Sequence, residues 1–131
     1  MSVAKPGAHL SIRVELETGR LGPGKIALME GIARERSLAG AARAMGMSYK
    51  RAWELLAELN QMFEDPVAVT QPGRNIGGGT ELTKLGERVI ALYHAIERRA
   101  TQAALAATQE LSAAARSGRQ AARRSPRRQR A

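Results

Sequence analysis

The sequence contains no cysteine. Disulfides, thiolate metal sites and thiol catalysis are therefore excluded. Aromatic side chains are nearly as scarce, with Tyr49, Trp53, Phe63 and Tyr93 the complete set in 131 residues. A core must be assembled from Leu, Ile, Val, Met and much Ala, which favours closely packed helices over a large sandwich. No apolar run approaches the ~18–20 residues that span a bilayer, and residues 1–8 lack the apolar centre of a secretion signal. A chain of this length suits one domain, so a single cytoplasmic, non-membrane domain is expected. Histidine offers only His9, near the N-terminus, and His94, neither with a partner at metal-ligand spacing. Glu15 and Glu17 belong to an exposed strand face, and Glu54 and Glu58 to a solvated helix face. With no nucleophile beside a base, no catalytic residue, metal or cofactor is expected, and the chain reads as a non-enzyme.

What is present in excess is positive charge: 21 Lys and Arg against 12 Asp and Glu, a formal +9 with a pI of about 11.2. Its placement matters more than its total. Seven arginines lie at positions 116, 119, 123, 124, 127, 128 and 130 with no acid among them, which leaves residues 1–115 with a net charge of only +2. The segment SGRQAARRSPRRQRA has no apolar period and cannot bury enough surface to offset its ordering entropy, so 116–131 is expected to be a disordered basic tail. It would serve as an electrostatic arm toward phosphates or simply as a solubilising extension. Residues 1–9 are expected to be a flexible N-terminus and 10–115 the folded body.

Within the body, Leu10, Ile12, Val14 and Leu16 alternate with polar residues and predict a strand with one face buried. After punctuation over 18–22, Pro23 opens a helix to about Arg36 with a stripe of Ile26, Met29 and Ile32. Ser37 is placed to cap a short second helix over 38–45, ended by Gly46. Ser48 is placed to cap a third, to about Glu64, with Ala52, Leu55, Leu56, Leu59, Met62 and Phe63 on its apolar face. Asp65-Pro66 breaks it. Residues 67–70 predict a strand, 72–79 (PGRNIGGG) a glycine-rich loop and 80–82 the returning strand. Thr83 would cap a long helix to about Ala115, on which Leu85, Val89, Leu92 and Ile96 form a heptad-like seam.

The fold class implied is mainly α with a small β wing: a winged helix-turn-helix plus a long C-terminal dimerisation helix over about 83–115. The turn between the second and third helices is the discriminating detail, with Ala42 small enough for a tight crossing and Gly46 tolerant of positive φ. Ala41, Met45, Met47, Ala52 and Leu55 fall where the two helices must pack. Such a motif places the start of the third helix, about 48–64, in a major groove. Ser48 and the helix N-terminal amides suit phosphate, Lys50 and Arg51 suit base-edge acceptors, and Tyr49 suits a phosphate or a thymine methyl. Each of these residues also fits an ordinary solvated face. Arg74 and Asn75, between glycines, suit the DNA backbone or minor groove. Trp53 is expected at the edge of the core. The loop glycines lack both the P-loop ending and the dinucleotide-binding spacing.

Met47-Ser48-Tyr49-Lys50-Arg51-Ala52-Trp53, continuing through Leu59-Asn60-Gln61, resembles the recognition helix of ModE-type molybdate-responsive regulators. Gly77-Gly78-Gly79 followed by Leu82-Thr83 and Gly86 is similar to the same family. The resemblance covers about 10–99. It implies a LysR-like winged helix-turn-helix that dimerises through terminal helices and binds double-stranded DNA at a palindromic operator. Ser48, Tyr49, Lys50 and Arg51 would then lie on the DNA-reading helix and Arg74 in the wing. Full-length family members carry oxyanion-binding domains that sense molybdate, where this chain has its arginine tail. A stand-alone DNA-binding version is expected, without molybdate binding of its own and with its effector, if any, unspecified.

The rival readings are an architectural, nucleoid-type DNA-binding protein with little sequence preference and a winged-helix protein-interaction module. Removing 116–131 should lower the slope of log affinity against log salt by up to ~0.9 for each phosphate the tail had neutralised, while preference for the cognate duplex survives. Disappearance of that preference with the tail, in titrations of both chains, would move specificity out of the body.

Overall fold

The computed structural model describes residues 8–71 and 79–115. The expectations for 1–7, for the loop 72–78 and for the tail 116–131 lie outside the described residues. The described chain is mainly α with two small antiparallel hairpins. It divides into two units, Ser11–Glu97 and a second that comprises Met1–Leu10 with Arg98–Ala131.

The first unit opens with β1 (Val14–Leu16) paired to β2 (Gly19–Leu21), in register Val14↔Leu21 and Leu16↔Gly19. The strand expected from alternation over 10–16 is thus shorter, and its partner was hidden in what reads as punctuation. Pro23 limits it: without an N–H it cannot extend the ladder, and it starts α1 (Pro23–Glu35) instead. Leu16, expected on the buried face, is 41% exposed. At the hairpin turn the Thr18 hydroxyl donates to the Met62 carbonyl at 2.9 Å, which satisfies an orphan acceptor at the end of α3 (Tyr49–Met62).

Two residues link α1 to α2 (Leu38–Met45). Arg36 takes a left-handed conformation (φ 58°), unusual for a residue with a Cβ, and its amide donates back to Ile32. Ser37 then caps α2, accepting from the Gly40 amide at 2.8 Å. Leu28, Met29 and Ile32 of α1, Ala41 and Ala42 of α2, and Ala52, Leu56, Leu59 and Met62 of α3 form the centre of the core. Met45, Met47 and Leu55 pack partly buried against it, as the helix-turn-helix pattern requires.

The second hairpin, β3 (Ala68–Gln71) with β4 (Gly79–Leu82), is registered from Ala68↔Leu82 to Gln71↔Gly79. Its base is held at three points. The Asn60 carboxamide accepts from Val67 N–H at 2.7 Å and donates to the Ala68 carbonyl at 3.2 Å. The Thr80 amide donates to the Arg36 carbonyl that the left-handed turn presents. Thr83 N–H donates to the Val67 carbonyl at 2.9 Å, and its hydroxyl donates to the Pro66 carbonyl.

That hydroxyl also accepts from Gly86 N–H at 3.0 Å, so Thr83 is the N-cap expected for α4 (Lys84–Ala103). A Cβ at Gly86 would overlap the Val67 carbonyl oxygen, so only glycine lets α4 approach β3 this closely. Val89 and Tyr93 are buried. The expected seam is therefore divided. Leu85 and Val89 serve the unit's own core, whereas Leu92 and Ile96 are 52% and 43% exposed. The Tyr93 hydroxyl donates to the Ile12 carbonyl at 2.5 Å, and burial, then the Glu97 carboxylate, pushes its pKa above the ordinary tyrosine value.

The long helix is not continuous to residue 115. It breaks at Ala104 (φ −99°, ψ 7°) and resumes as α5 (Leu105–Ala114), with no buried residue. The Thr108 hydroxyl donates to the carbonyls of Ala104 and Leu105. The Thr108 amide keeps its own bond to the Ala104 carbonyl at 2.9 Å. Nothing in the residue pattern signals the break, because alanine alone occupies it.

Gly86→Ala should lower unfolding stability by about 1–3 kcal/mol, as overpacking against fixed backbone does. Lys84→Ala, two residues earlier and exposed, should stay within ~0.5 kcal/mol. Denaturant midpoints of the two variants check this.

Candidate nucleic-acid interface

The site is built at the turn that joins α2 to α3. Gly46 lies at φ 70°, ψ 30°, and its amide donates to the Ala42 and Arg43 carbonyls. The Met47 amide donates to Ala42 at 3.0 Å. These bonds consume the acceptors at the end of α2 and reverse the chain within three residues. The residue that caps α3 is Ser48, whose hydroxyl oxygen accepts from the Arg51 amide at 3.0 Å. Among the described residues no acceptor takes the hydroxyl's own proton, which can donate outward.

The cap fixes where α3 begins, and the packing of its apolar stripe fixes what faces water. Ala52, Leu56, Leu59 and Met62 go into the core, so Ser48, Tyr49, Lys50 and Arg51 are exposed. The four residues expected to form a polar reading face are thus contiguous at the first turn. They share it with the α3 amides that no backbone carbonyl of the helix satisfies, a favourable place for anions. The Arg51 guanidinium also lies 3.8 Å from Glu54, an exposed pair that water screens. Arg74 and Asn75 fall in 72–78 and lie outside the described residues. Trp53, expected at the core's edge, is instead 56% exposed, like Tyr49. Its exposure follows from the helix phase that Ala52, Leu56, Leu59 and Met62 set by packing into the core.

The acidic residues expected on a solvated face are partly engaged. Glu58 pairs with Lys25 of α1 at 3.2 Å, and Glu54 faces Arg51. A second polar cluster was not anticipated. His94 on α4 is held between two carboxylates, its Nε2 2.7 Å from Glu30 of α1 and its Nδ1 2.7 Å from Glu97. Glu97 at the i+3 position is a local signal for this arrangement. Glu30, 64 residues away, is not. Hydrogen bonds to Glu30 and then Glu97 raise the His94 pKa above its ordinary value, against a lowering by burial. Among the described residues no group of three or more His, Asp or Glu is placed to hold a metal ion. No helix among them is long and apolar enough to cross a membrane.

No protein-family model matches the chain. Individual relatives do. It is 42% identical over 84 residues to the molybdenum-pterin-binding protein MopA of Rhodobacter capsulatus, a match over 64% of this chain and 32% of that protein. It is 38% identical over 90 residues to the molybdenum transport protein ModE of Azotobacter vinelandii, covering 69% and 33%. Over 71 residues it is 39% identical to the DNA-binding transcriptional dual regulator ModE of Escherichia coli (strain K12), covering 54% and 27%. The chain spans about a third of the length of the curated relatives it matches. The expected likeness to ModE-type proteins is therefore found, and the relatives are named as regulators, binding proteins and a transport protein.

The His94 clasp should make stability depend on pH. Because its pKa is raised in the fold, the bonds to Glu30 and Glu97 contribute fully below the ordinary histidine value of 6.5. The contribution is lost as pH rises through the folded value. Denaturant unfolding from about pH 5.5 to 8.5 should show that decline. His94→Gln should flatten it, and an unchanged slope would remove the clasp from the account.

Proposed function

We propose that this chain is a sequence-specific DNA-binding transcriptional regulator that acts as a homodimer on a palindromic operator. The observation that carries the reading is the exposed first turn of α3, held by the Gly46 turn and the Ser48 cap. The similarity to proteins named as transcriptional regulators supports it. On this reading residues 10–115 form a winged helix-turn-helix of LysR-like type, non-enzymatic and cytoplasmic, with the β3–β4 hairpin as the wing.

Ser48 donates its free proton to a phosphate, and Tyr49 meets the same strand or a thymine methyl. Lys50 and Arg51 address acceptors on base edges, with Arg suited to a bidentate contact with guanine. Arg74 and Asn75 approach the backbone or minor groove from the wing. The exposed Leu92 and Ile96 supply the apolar surface for the second copy, and 116–131 adds an electrostatic arm. Molybdenum recognition, which the relatives' names carry, is not extended to a chain that spans about a third of their length.

The test is selection of bound duplexes from a random pool, followed by footprinting at ~150 mM salt. A two-fold pattern with half-sites about 10 base pairs apart, or a near multiple, is expected. A one-sided footprint would overturn the dimer, and binding without preference would favour an architectural role. Arg51→Ala should cost about 1–3 kcal/mol on the selected duplex and relax preference at one position. An equal cost on scrambled DNA would make Arg51 a phosphate contact.

A further inference from the structure

Four aromatic residues occur in the chain, and two of them stand exposed on one helix. Tyr49 and Trp53 are each 56% exposed in the first two turns of α3. Residues four apart share a helix face, and Asn60, eleven residues beyond Tyr49, returns to within about 40° of both. Asn60 is the residue that grips Val67 and Ala68 at the base of β3. The aromatic pair therefore occupies the flank of α3 that continues toward that hairpin. Lys50 stands roughly opposite the core, and Arg51 lies on the other flank by the same periodicity.

These positions matter once α3 is placed in a major groove, the reading on which this inference rests. A helix of ~10–12 Å diameter nearly fills a groove about 12 Å wide. Residues opposite the core then meet base edges, whereas residues on a flank meet the groove wall. That wall is deoxyribose and phosphate. Indole matches it in both parts, with an apolar face for the sugar and an Nε1–H that only donates, here to a phosphate oxygen.

We propose that Trp53 packs on the sugar–phosphate strand bordering the major groove and donates its indole proton to a phosphate. It is thus a neutral backbone contact that sets the depth and tilt of α3 while Lys50 and Arg51 read bases. Such a contact carries little sequence information and releases no counterion.

Trp53 is the single tryptophan, so its emission reports on this contact alone. The full chain is titrated against the selected duplex and a base-scrambled duplex, each fluorescein-labelled, so that binding is read from the DNA independently of the protein. Quenching or a spectral shift of Trp53 that follows binding to the selected duplex is expected. Trp53→Ala should weaken both duplexes by a similar factor, about tenfold, without altering the salt slope. Trp53→Phe, which keeps a ring but no donor, should recover part of that affinity and guards against a folding defect in the alanine variant. Binding with unchanged emission would overturn this inference and leave the DNA reading standing. Weakening confined to the selected duplex would make Trp53 a base contact and also overturn it. Failure of the wild-type chain to bind either duplex would overturn the DNA reading and this inference together.

Discussion

Both backbone polar groups of Val67 are hydrogen-bonded, and the body is organised around this residue. Its N–H is taken by Asn60 of α3, and its C=O by the Thr83 amide at the start of α4. Val67 itself is fully buried, and Gly86 lies against its carbonyl. A buried backbone N–H or C=O costs free energy unless it finds a partner. Here the partners come from two helices, α3 and the capped start of α4. The hairpin that begins at Ala68 inherits its direction from this junction, and the Arg36 carbonyl steadies its other strand through Thr80.

The exposed end of α3 is what this packing leaves uncovered. The apolar face of α3 is spent on α1 and α2, the Asn60 flank on β3, and what remains is Ser48 through Arg51 with Trp53 beside them. The body carries a net charge of only +2 through residue 115, so the proposed DNA contact does not depend on a broad basic surface. On that proposal it depends on a few cations and helix amides at one turn.

Elements whose determinants are local in sequence were legible before the fold. Ser37 and Gly46 bound α2 as expected, and Ser48 caps α3, because caps and turns are decided within four residues. The Leu85–Ile96 seam was legible as one stripe, but periodicity says only that residues share a face. It does not say which of them a neighbour covers, and the close approach at Gly86 covers the first half. Long-range partners left no trace: β2 was masked by turn residues, and Glu30 lies 64 positions from His94. Trp53 is exposed in spite of its hydrophobicity, because the packed stripe of Ala52, Leu56, Leu59 and Met62 turns it outward.

The hydrogen bond from Tyr93 to Ile12 spans 81 positions, much farther than the bonds at the Val67 junction. Loop-closure entropy grows with separation, so contacts near in sequence form at lower cost. Ile12 leaves the ribosome early but has no partner until Tyr93 has been made. The first residues of this unit can thus make this bond only after residue 93 has been added. For Ile12, order of synthesis and order of bonding run in opposite directions.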